Sequence, residues 1–447
     1  MAARVARSVV PGPQAGFSEL HPPLSANEAV AEAARCLYCY DAPCTRACPT
    51  HIDIPRFIRQ ILHHDPQSAA RTILEANIFG GSCARVCPTE VLCEGACVDN
   101  TLLKAPVRIG RLQRFACDAA HAQSHEFFRP GPDTGKRVAI VGGGPAGLTC
   151  AHELRKRGHA AVVFEAGRRA GGLNTHGIAP YKMSAAFAES EVRRILRLGV
   201  RLRLRTRVDG RLLEKLLREY DAVFLAIGLG RTAPLGIPGE DLRGVIESLD
   251  LIERVRVDRP GRIRLGERVV VIGGGNTAID VARTARRLGA RQVTIVYRRD
   301  AVSMSAFQHE QDAAAGEGVR FVFNAQPVRV VGRAGRVTGA RFIRTRMHGK
   351  GRAARLTPIR GSEFTLDADT VVRALGQEPI LDLMMALPDL RINRKGRIEV
   401  DAKTGATSVP GLFAGGDCRA GAGEEVVNAV EDGKTAARCI DRVLSAG

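Results

Sequence analysis

The sequence predicts an α/β protein of several domains, in which a small helical, cysteine-rich module precedes two parallel-sheet domains, the second inserted into the first. Three observations predict it. A strand, a glycine loop and a helix follow one another at Arg137–Arg157, and the same unit returns at Val269–Ala282. Eight of the 12 cysteines fall between Cys36 and Cys97. Two late apolar segments, Thr370–Gly376 and Gly411–Asp417, read as strands that go back to the first sheet domain. At 447 residues the chain exceeds one hydrophobic core, so it must divide.

Composition narrows the class. Lys and Arg number 66 against 47 acids, a net charge of +19, and arginines are spread along the chain rather than gathered in a tail. With 4% aromatics and no recognition motif, anionic nucleotides or an acidic protein partner fit this charge better than nucleic acid. No apolar run approaches the roughly 20 residues that span a bilayer, and Met1–Gly16 lacks an apolar signal region. A soluble, cytoplasmic protein is expected. In that compartment clustered cysteines read as metal ligands rather than disulfides.

Residues 1–30 carry Pro and Ser without a period and read as an extended leader. In the module that follows, Ile54–Leu62 and Gln67–Ala76 show apolar residues at helical spacing and bracket two cysteine loops. The first group is Cys36-x2-Cys39-x4-Cys44-x3-Cys48-Pro49; the second is Cys83-x3-Cys87-Pro88-x3-Leu92-Cys93-x3-Cys97. Thiolates at such spacings suit cubane iron–sulfur clusters, each iron taking one soft ligand, and eight cysteines suggest two clusters. In ferredoxin-type runs the cysteine before proline serves the other cluster, so Cys48 is expected to cross over. Two structural zinc sites are the alternative. The isolated Cys117, Cys150, Cys418 and Cys439 read as small buried hydrophobes.

After a linker at Arg129–Gly135, the run Arg137–Val141 is a buried parallel strand entering Gly142-Gly143-Gly144-Pro145-Ala146-Gly147, a G-x-G-x-x-G loop. Such glycines let backbone amides and a helix N-terminus approach a pyrophosphate. The next strand, Ala161–Phe164, ends in Glu165, where a carboxylate accepts ribose hydroxyls, and Gly171, Gly172 and Leu173 follow. Late in the chain Gly415, Gly416 and Asp417 add a carboxylate suited to a ribityl chain. Together these indicate FAD. The second loop, Gly273-Gly274-Gly275-Asn276-Thr277-Ala278, has alanine in the third glycine position. Its second strand, Val293–Tyr297, leads to Arg298 and Arg299 instead of an acid, which favours NADP(H) over NAD(H); Asp300 stands beside them. There is no cysteine between Ile246 and Glu363, so a C-x-x-C disulfide reductase is disfavoured. The expected organisation is a leader (1–30), a helical double [4Fe–4S] domain (31–128), an FAD-binding Rossmann-like domain in two parts (129–245 and 365–447) and an inserted Rossmann-like NAD(P)H-binding domain (246–364).

Along nearly its whole length the chain resembles the glutamate synthase small subunit and the N-terminal half of dihydropyrimidine dehydrogenase with its stand-alone bacterial counterpart. The residues that carry the resemblance are Cys36–Cys44, Cys83–Thr89, Ile109–Phe115, Val141–Gly147, Ile272–Asp280 and Phe413–Asp417. The resemblance implies one cluster on Cys36, Cys39, Cys44 and Cys97, and another on Cys48, Cys87, Cys93 and Gln113, leaving Cys83 out. The alternative has Cys83 ligating and Gln113 as a surface helix residue. Resemblance also implies Lys182 near the flavin and Val208 at the adenine end. Asp41–Cys44 and Arg111–Phe115 look more like the dihydropyrimidine dehydrogenase branch, whose stand-alone bacterial subunit lacks the arginine pair and uses NADH. The implied activity is NAD(P)H oxidation, electrons passing through FAD and two clusters to a large partner subunit. That partner would be an FMN-containing pyrimidine-reducing subunit or a glutamate synthase large subunit; a ferredoxin-type carrier role is a third reading. No side chain is expected to act as nucleophile or general base, because the cofactors carry the chemistry.

Overall fold

The computed structural model describes residues 15–257 and 263–446. Most of the expected leader (1–14), five residues of the expected nucleotide domain (258–262) and Gly447 lie outside the described residues. The described chain forms two compact units. The larger takes His21–Thr175, Lys182–Gly230 and 379–446; the smaller takes 15–20, His176–Tyr181 and Arg231–Glu378.

The larger unit begins with seven helices: α1 (Ala26–Ala33), α2 (Pro43–Ala47), α3 (Ile54–Leu62), α4 (Pro66–Ala76), α5 (Gly80–Val86), α6 (Val98–Leu102) and α7 (Ile109–Ala122). Helix α1 starts inside the stretch expected to be extended. Its signal is Ser25-x-x-Glu28, a capping box in which each side chain satisfies the other residue's backbone N–H. Asp53 and Asp65 cap α3 and α4, each with proline in the first turn, which explains why both match the apolar period. Helix α3 buries Ile54, Phe57, Ile58 and Ile61. Helix α4 buries Ala69, Ala70 and Ile73, and α7 buries Ile109, Leu112, Ala116 and Ala120, in one shared core.

The same unit then builds a parallel sheet from β1 (Arg137–Val141), α8 (Pro145–Lys156), β2 (Ala160–Phe164), the short α9 (Leu173–His176), α10 (Ala185–Arg197), β3 (Arg201–Arg203), α11 (Gly210–Glu219) and β4 (Ala222–Leu225). Strands β1, β2 and β4 bury nearly every residue, as a sheet covered on both faces requires.

In the smaller unit follow β5 (Val245–Glu247), α12 (Ser248–Val257), β6 (Arg268–Ile272), α13 (Asn276–Arg287), β7 (Gln292–Val296), α14 (Gln308–Gly316) and β8 (Val319–Val322). Next come β9 (Ala325–Arg333), β10 (Arg336–His348), β11 (Arg355–Pro358), β12 (Phe364–Asp367) and β13 (Thr370–Arg373). The larger unit resumes with α15 (Leu381–Met384), β14 (Leu412–Ala414) and α16 (Val426–Ser445). Its sheet order is β14-β4-β1-β2-β3, all parallel, so a strand from the end of the chain lies on β4, Leu412 opposite Val223. This is the connectivity of an insertion.

One strand assignment from the sequence is corrected. Thr370–Gly376 does not return to the first sheet: β13 lies in the second, between β5 and β6, in the parallel order β5-β13-β6-β7-β8. Its apolar residues Val371 and Val372 are wholly buried there, and the crossover to the first sheet comes after Glu378. The smaller unit also carries an antiparallel sheet, β9 and β12 flanking the 13-residue β10 and β11 pairing its end.

Candidate redox and nucleotide sites

The eight cysteines separate into two neighbourhoods. Cys36, Cys39, Cys44 and Cys97 line one cavity, walled by the apolar Ile54, Ile58, Val107 and Ile109. Burial pushes the Cys44 thiol up to about 11, with Cys36 and Cys97 as charged neighbours adding to it. Cys48, Cys83 and Cys93 are buried. The Cys87 thiol is raised by its hydrogen bond to Cys83, by burial and by the nearby Cys93 and Cys48. Cys93 is raised by burial, with Glu94 and Cys48 beside it. Cys48 thus stands with the second group although its sequence belongs to the first. Among the described residues no three His, Cys, Asp or Glu side chains converge as a single ion requires; the first four thiols instead stand around a space. A ring of soft donors in an apolar wall suits a multi-iron cluster, and thiols held protonated here would lose protons to it.

Gln113 is not a surface residue: it is buried on α7, and its Nε2 donates to the Gly80 carbonyl at 2.7 Å. Cys83 is buried too, its Sγ accepting from Asn77 Nδ2 at 3.2 Å. Sequence reading passed over Asn77 and also Glu191, a buried carboxylate on α10 that accepts from the Gly81 and Ser82 amides. Glu191 has no local signature, since it acts on residues that only folding brings near, whereas Asn77 acts within six residues, on Cys83 and the Phe79 amide.

In the first glycine loop the three G-x-G-x-x-G positions, Gly142, Gly144 and Gly147, have different tasks. Gly142 has φ +110, and a Cβ there would lie 2.2 Å from the Ala226 carbonyl oxygen. At Gly147 a Cβ would lie 2.0 Å from the Gly142 oxygen, so the helix packs directly on the strand end. In front of Gly144, the N-cap of α8 ahead of Pro145 and the buried Ala146, nothing lies nearer than the Gly172 Cα at 3.9 Å. That open cradle is what a pyrophosphate needs. Glu165, at the end of β2, accepts from Gly143 N at 2.8 Å and Gly167 N at 2.6 Å, tying the loop to the second strand. Gly172 has φ +55 and backs onto Gly144, with Leu173 exposed after it; Val208 is buried beneath the sheet and Lys182 is half-buried.

Asp417 follows β14. Gly416 N donates to Asp432, which Arg419 clamps at 2.7 Å, so the turn is held from behind. Burial pushes the Asp417 carboxyl up to about 6 against the pull of Arg397, and among the described residues it has no hydrogen-bond partner. A half-buried carboxyl lacking a donor suits a hydroxylated chain.

The second loop repeats the plan. A Cβ on Gly273 would meet the Ala374 carbonyl, whereas Gly275 has open space, nothing lying nearer than Ser305 Oγ at 3.6 Å. Ala278 is wholly buried with its methyl accommodated, Asn276 accepts from Phe307 N, and Thr277 lies between them on the first turn of α13. Beyond β7, Arg298 is exposed, and Arg299 is half-buried with its Nε buried and unpartnered. Asp300 accepts from Ser303 N at 2.9 Å, which holds its carboxyl below the usual range and engages it in its own turn.

Residues 136–433 match the model of the pyridine nucleotide-disulphide oxidoreductase family, and residues 14–125 match that of dihydropyrimidine dehydrogenase domain II, 4Fe-4S cluster. The chain belongs to the pyridine nucleotide-disulphide oxidoreductase family. It is an NAD(P)-dependent iron–sulfur flavoprotein oxidoreductase, with FAD and [4Fe–4S] chemistry. The glutamate synthase [NADPH] small chain of Escherichia coli K12 is 37% identical over 439 residues, covering 94% of this chain and 92% of that protein. The NAD-dependent dihydropyrimidine dehydrogenase subunit PreT of the same organism is 35% identical, covering 97% and 98%. Among solved structures, Mycobacterium tuberculosis FprA in complex with NADPH superposes with a TM-score of 0.57 at 22% identity, over 71% of this chain and 85% of that one. T. acidophilum thioredoxin reductase gives 0.54 at 21%, over 70% and 100%. Both show the fold. No described helix is long and apolar enough to cross a membrane.

The raised Asp417 carboxyl has a measurable consequence in this family member. In the unfolded chain an aspartate titrates near about 3.9. Between there and about 6 the unfolded state ionises first, so stability falls as pH rises through that window and the penalty is constant above it. In flavin-stripped protein, Asp417→Asn is expected to melt higher than the unsubstituted chain at pH 7, by about 1–2 °C per kcal/mol relieved at this chain length, and at the same temperature as the unsubstituted chain at pH 4. A difference that persists unchanged to pH 4 would contradict this.

Proposed function

We propose that this chain is the NADPH-oxidising subunit of a larger reductase and passes electrons through FAD and two [4Fe–4S] clusters to a separate catalytic subunit. The observation that carries the reading is the presence of both thiol neighbourhoods in the same compact unit as the first glycine loop. When bound, FAD supplies hydride acceptance and the clusters supply one-electron transfer. Gly144 and the α8 N-terminus would hold the FAD pyrophosphate, Glu165 the adenosine ribose and Asp417 the ribityl hydroxyls, with Gly143, Gly172, Leu173, Lys182 and Val208 around them. Gly273, Gly275, Asn276, Thr277 and Ala278 would hold the nicotinamide dinucleotide. Arg298 and Arg299 would bind its 2′-phosphate, for which the unpartnered Arg299 Nε is a waiting donor.

For the clusters, Cys36, Cys39, Cys44 and Cys97 would hold the first. Cys48, Cys87, Cys93 and Gln113 would hold the second. The bond from Gln113 Nε2 to Gly80 directs the amide nitrogen away and leaves Oε1 as the atom free to ligate. Gln113 favours a dihydropyrimidine dehydrogenase as the parent enzyme. Arg298 and Arg299 favour the second reading, an NADPH-dependent glutamate synthase. With this reading the clusters stay at 31–128, while the boundaries expected at 245/246 and 364/365 move to 230/231 and 378/379, which leaves 129–230 with 379–446 for FAD and Arg231–Glu378 for the nucleotide.

Affinity purification of the tagged chain from its own cells tests the partner: an FMN-containing subunit supports the first reading and an amidotransferase-bearing subunit the second, whereas a chain isolated alone in stoichiometric amount overturns both. Replacing Arg298 and Arg299 by alanine is expected to lower kcat/KM for NADPH about 10-fold or more while leaving NADH unchanged, since each charge-assisted bond contributes about 1.5–3 kcal/mol. An unchanged NADPH/NADH ratio would sink the assignment. Gln113→Ala is expected to alter the EPR signal of one cluster and Cys83→Ala to leave both signals in place; the reverse pattern would make Cys83 the ligand.

A further inference from the structure

Helix α10 follows the flavin loop in the chain, and it packs on α8, the helix that the first glycine loop opens. Its Glu191 side chain nevertheless reaches a helix of the cysteine module. The carboxylate is 1% exposed; Oε1 accepts from the amides of Gly81 at 3.0 Å and Ser82 at 3.2 Å, and Oε2 accepts from the Ser82 hydroxyl. These are the first residues of α5, which carries Cys83 and ends at Cys87. The approach is close by construction. A Cβ on Gly81 would lie 2.5 Å from the Phe187 ring and 3.0 Å from Glu191 Oε1. Arg85, on the same helix, lies 3.7 Å over the Phe187 ring while its guanidinium bonds Asp118 of α7 at 2.7 Å. One residue earlier, the Gly80 carbonyl accepts from Gln113.

A buried carboxylate is costly unless every donor around it is aligned, and an apolar residue of the same size would leave two amides unsatisfied. The side chain therefore fixes the first turn of α5 in one register. We propose that Glu191 is a positioning residue for the second cluster: by holding the Gly81 and Ser82 amides it sets where α5 presents Cys87 and how Gln113, bonded to the adjoining carbonyl, presents its amide oxygen. Because α10 packs on α8, the same contact references that cluster to the flavin loop. Small displacements of donor and acceptor change transfer rates steeply, so such a link has a use beyond stability. The inference rests on the two-cluster reading of the cysteines.

The test uses the full holoprotein, with iron and flavin content, EPR of the reduced clusters, and stopped-flow reduction by NADPH. Glu191→Gln is expected to keep flavin content and the rate of flavin reduction, to leave the first cluster's signal in place, to displace the second cluster's signal, and to slow that cluster's reduction about 10-fold or more. Ser82→Ala keeps both amides and removes only the hydroxyl; it is expected to produce the same change in smaller degree, and it decides the matter should Glu191→Gln fail to fold. Unchanged signals and transfer in a fully loaded variant would overturn the proposal, as would equal damage to flavin reduction and both clusters. A single cluster in the unsubstituted protein would instead remove the two-cluster reading, and the proposal with it.

Discussion

The burial of apolar faces on α3, α4 and α7 is the interaction on which the redox half of the molecule depends. None of the eight clustered cysteines sits in a long element. Cys36 and Cys39 lie in a loop, Cys44 in the five-residue α2, and Cys97 at the N-cap of the five-residue α6. Helices that short do not persist alone in water. Their placement comes from the core of Phe57, Ile58, Ile61, Ile73, Leu112 and Ala116, over which the loops are draped. Substitutions in that core would therefore act on the thiols at a distance.

The two glycine loops show a second constraint, that backbone must approach backbone on one side and stay clear on the other. Gly142 and Gly147 close the turn against Ala226 and against each other, and Gly144 is left facing open space. In the second loop Gly273 and Gly275 divide the same tasks, and the wholly buried Ala278 shows that the third position accommodates a methyl there. The ligand-facing surface in both cases is amide-rich and lies at a helix N-terminus, a favourable setting for phosphate.

Some of the arginines behind the basic composition are internal and ion-paired, so they add nothing to the net charge of +19. Arg283, whose side chain is 5% exposed, pairs with Glu310 and Glu317; Arg85, equally buried, pairs with Asp118; and Arg419 forks onto Asp432. Planar guanidiniums suit such multidentate buried pairing. The unpartnered Arg299 Nε stands out against that background.

By itself the sequence determined what local rules reach: the buried strands β1 and β6, the glycine loops behind them, the capped helices α3 and α4, and the thiol-rich composition of the module. It also carried, unread, the Ser25–Glu28 box of α1. Tertiary structure alone decided that β13 stays in the second sheet, that Gln113 is buried with its amide tethered, and that Glu191 closes on α5, whereas the crossover of Cys48 was already legible in the proline after it. The physical reason is range. Periodicity, caps and turns are settled by neighbours a few residues away, whereas strand order and a thiol's neighbours depend on packing between segments that no local pattern relates.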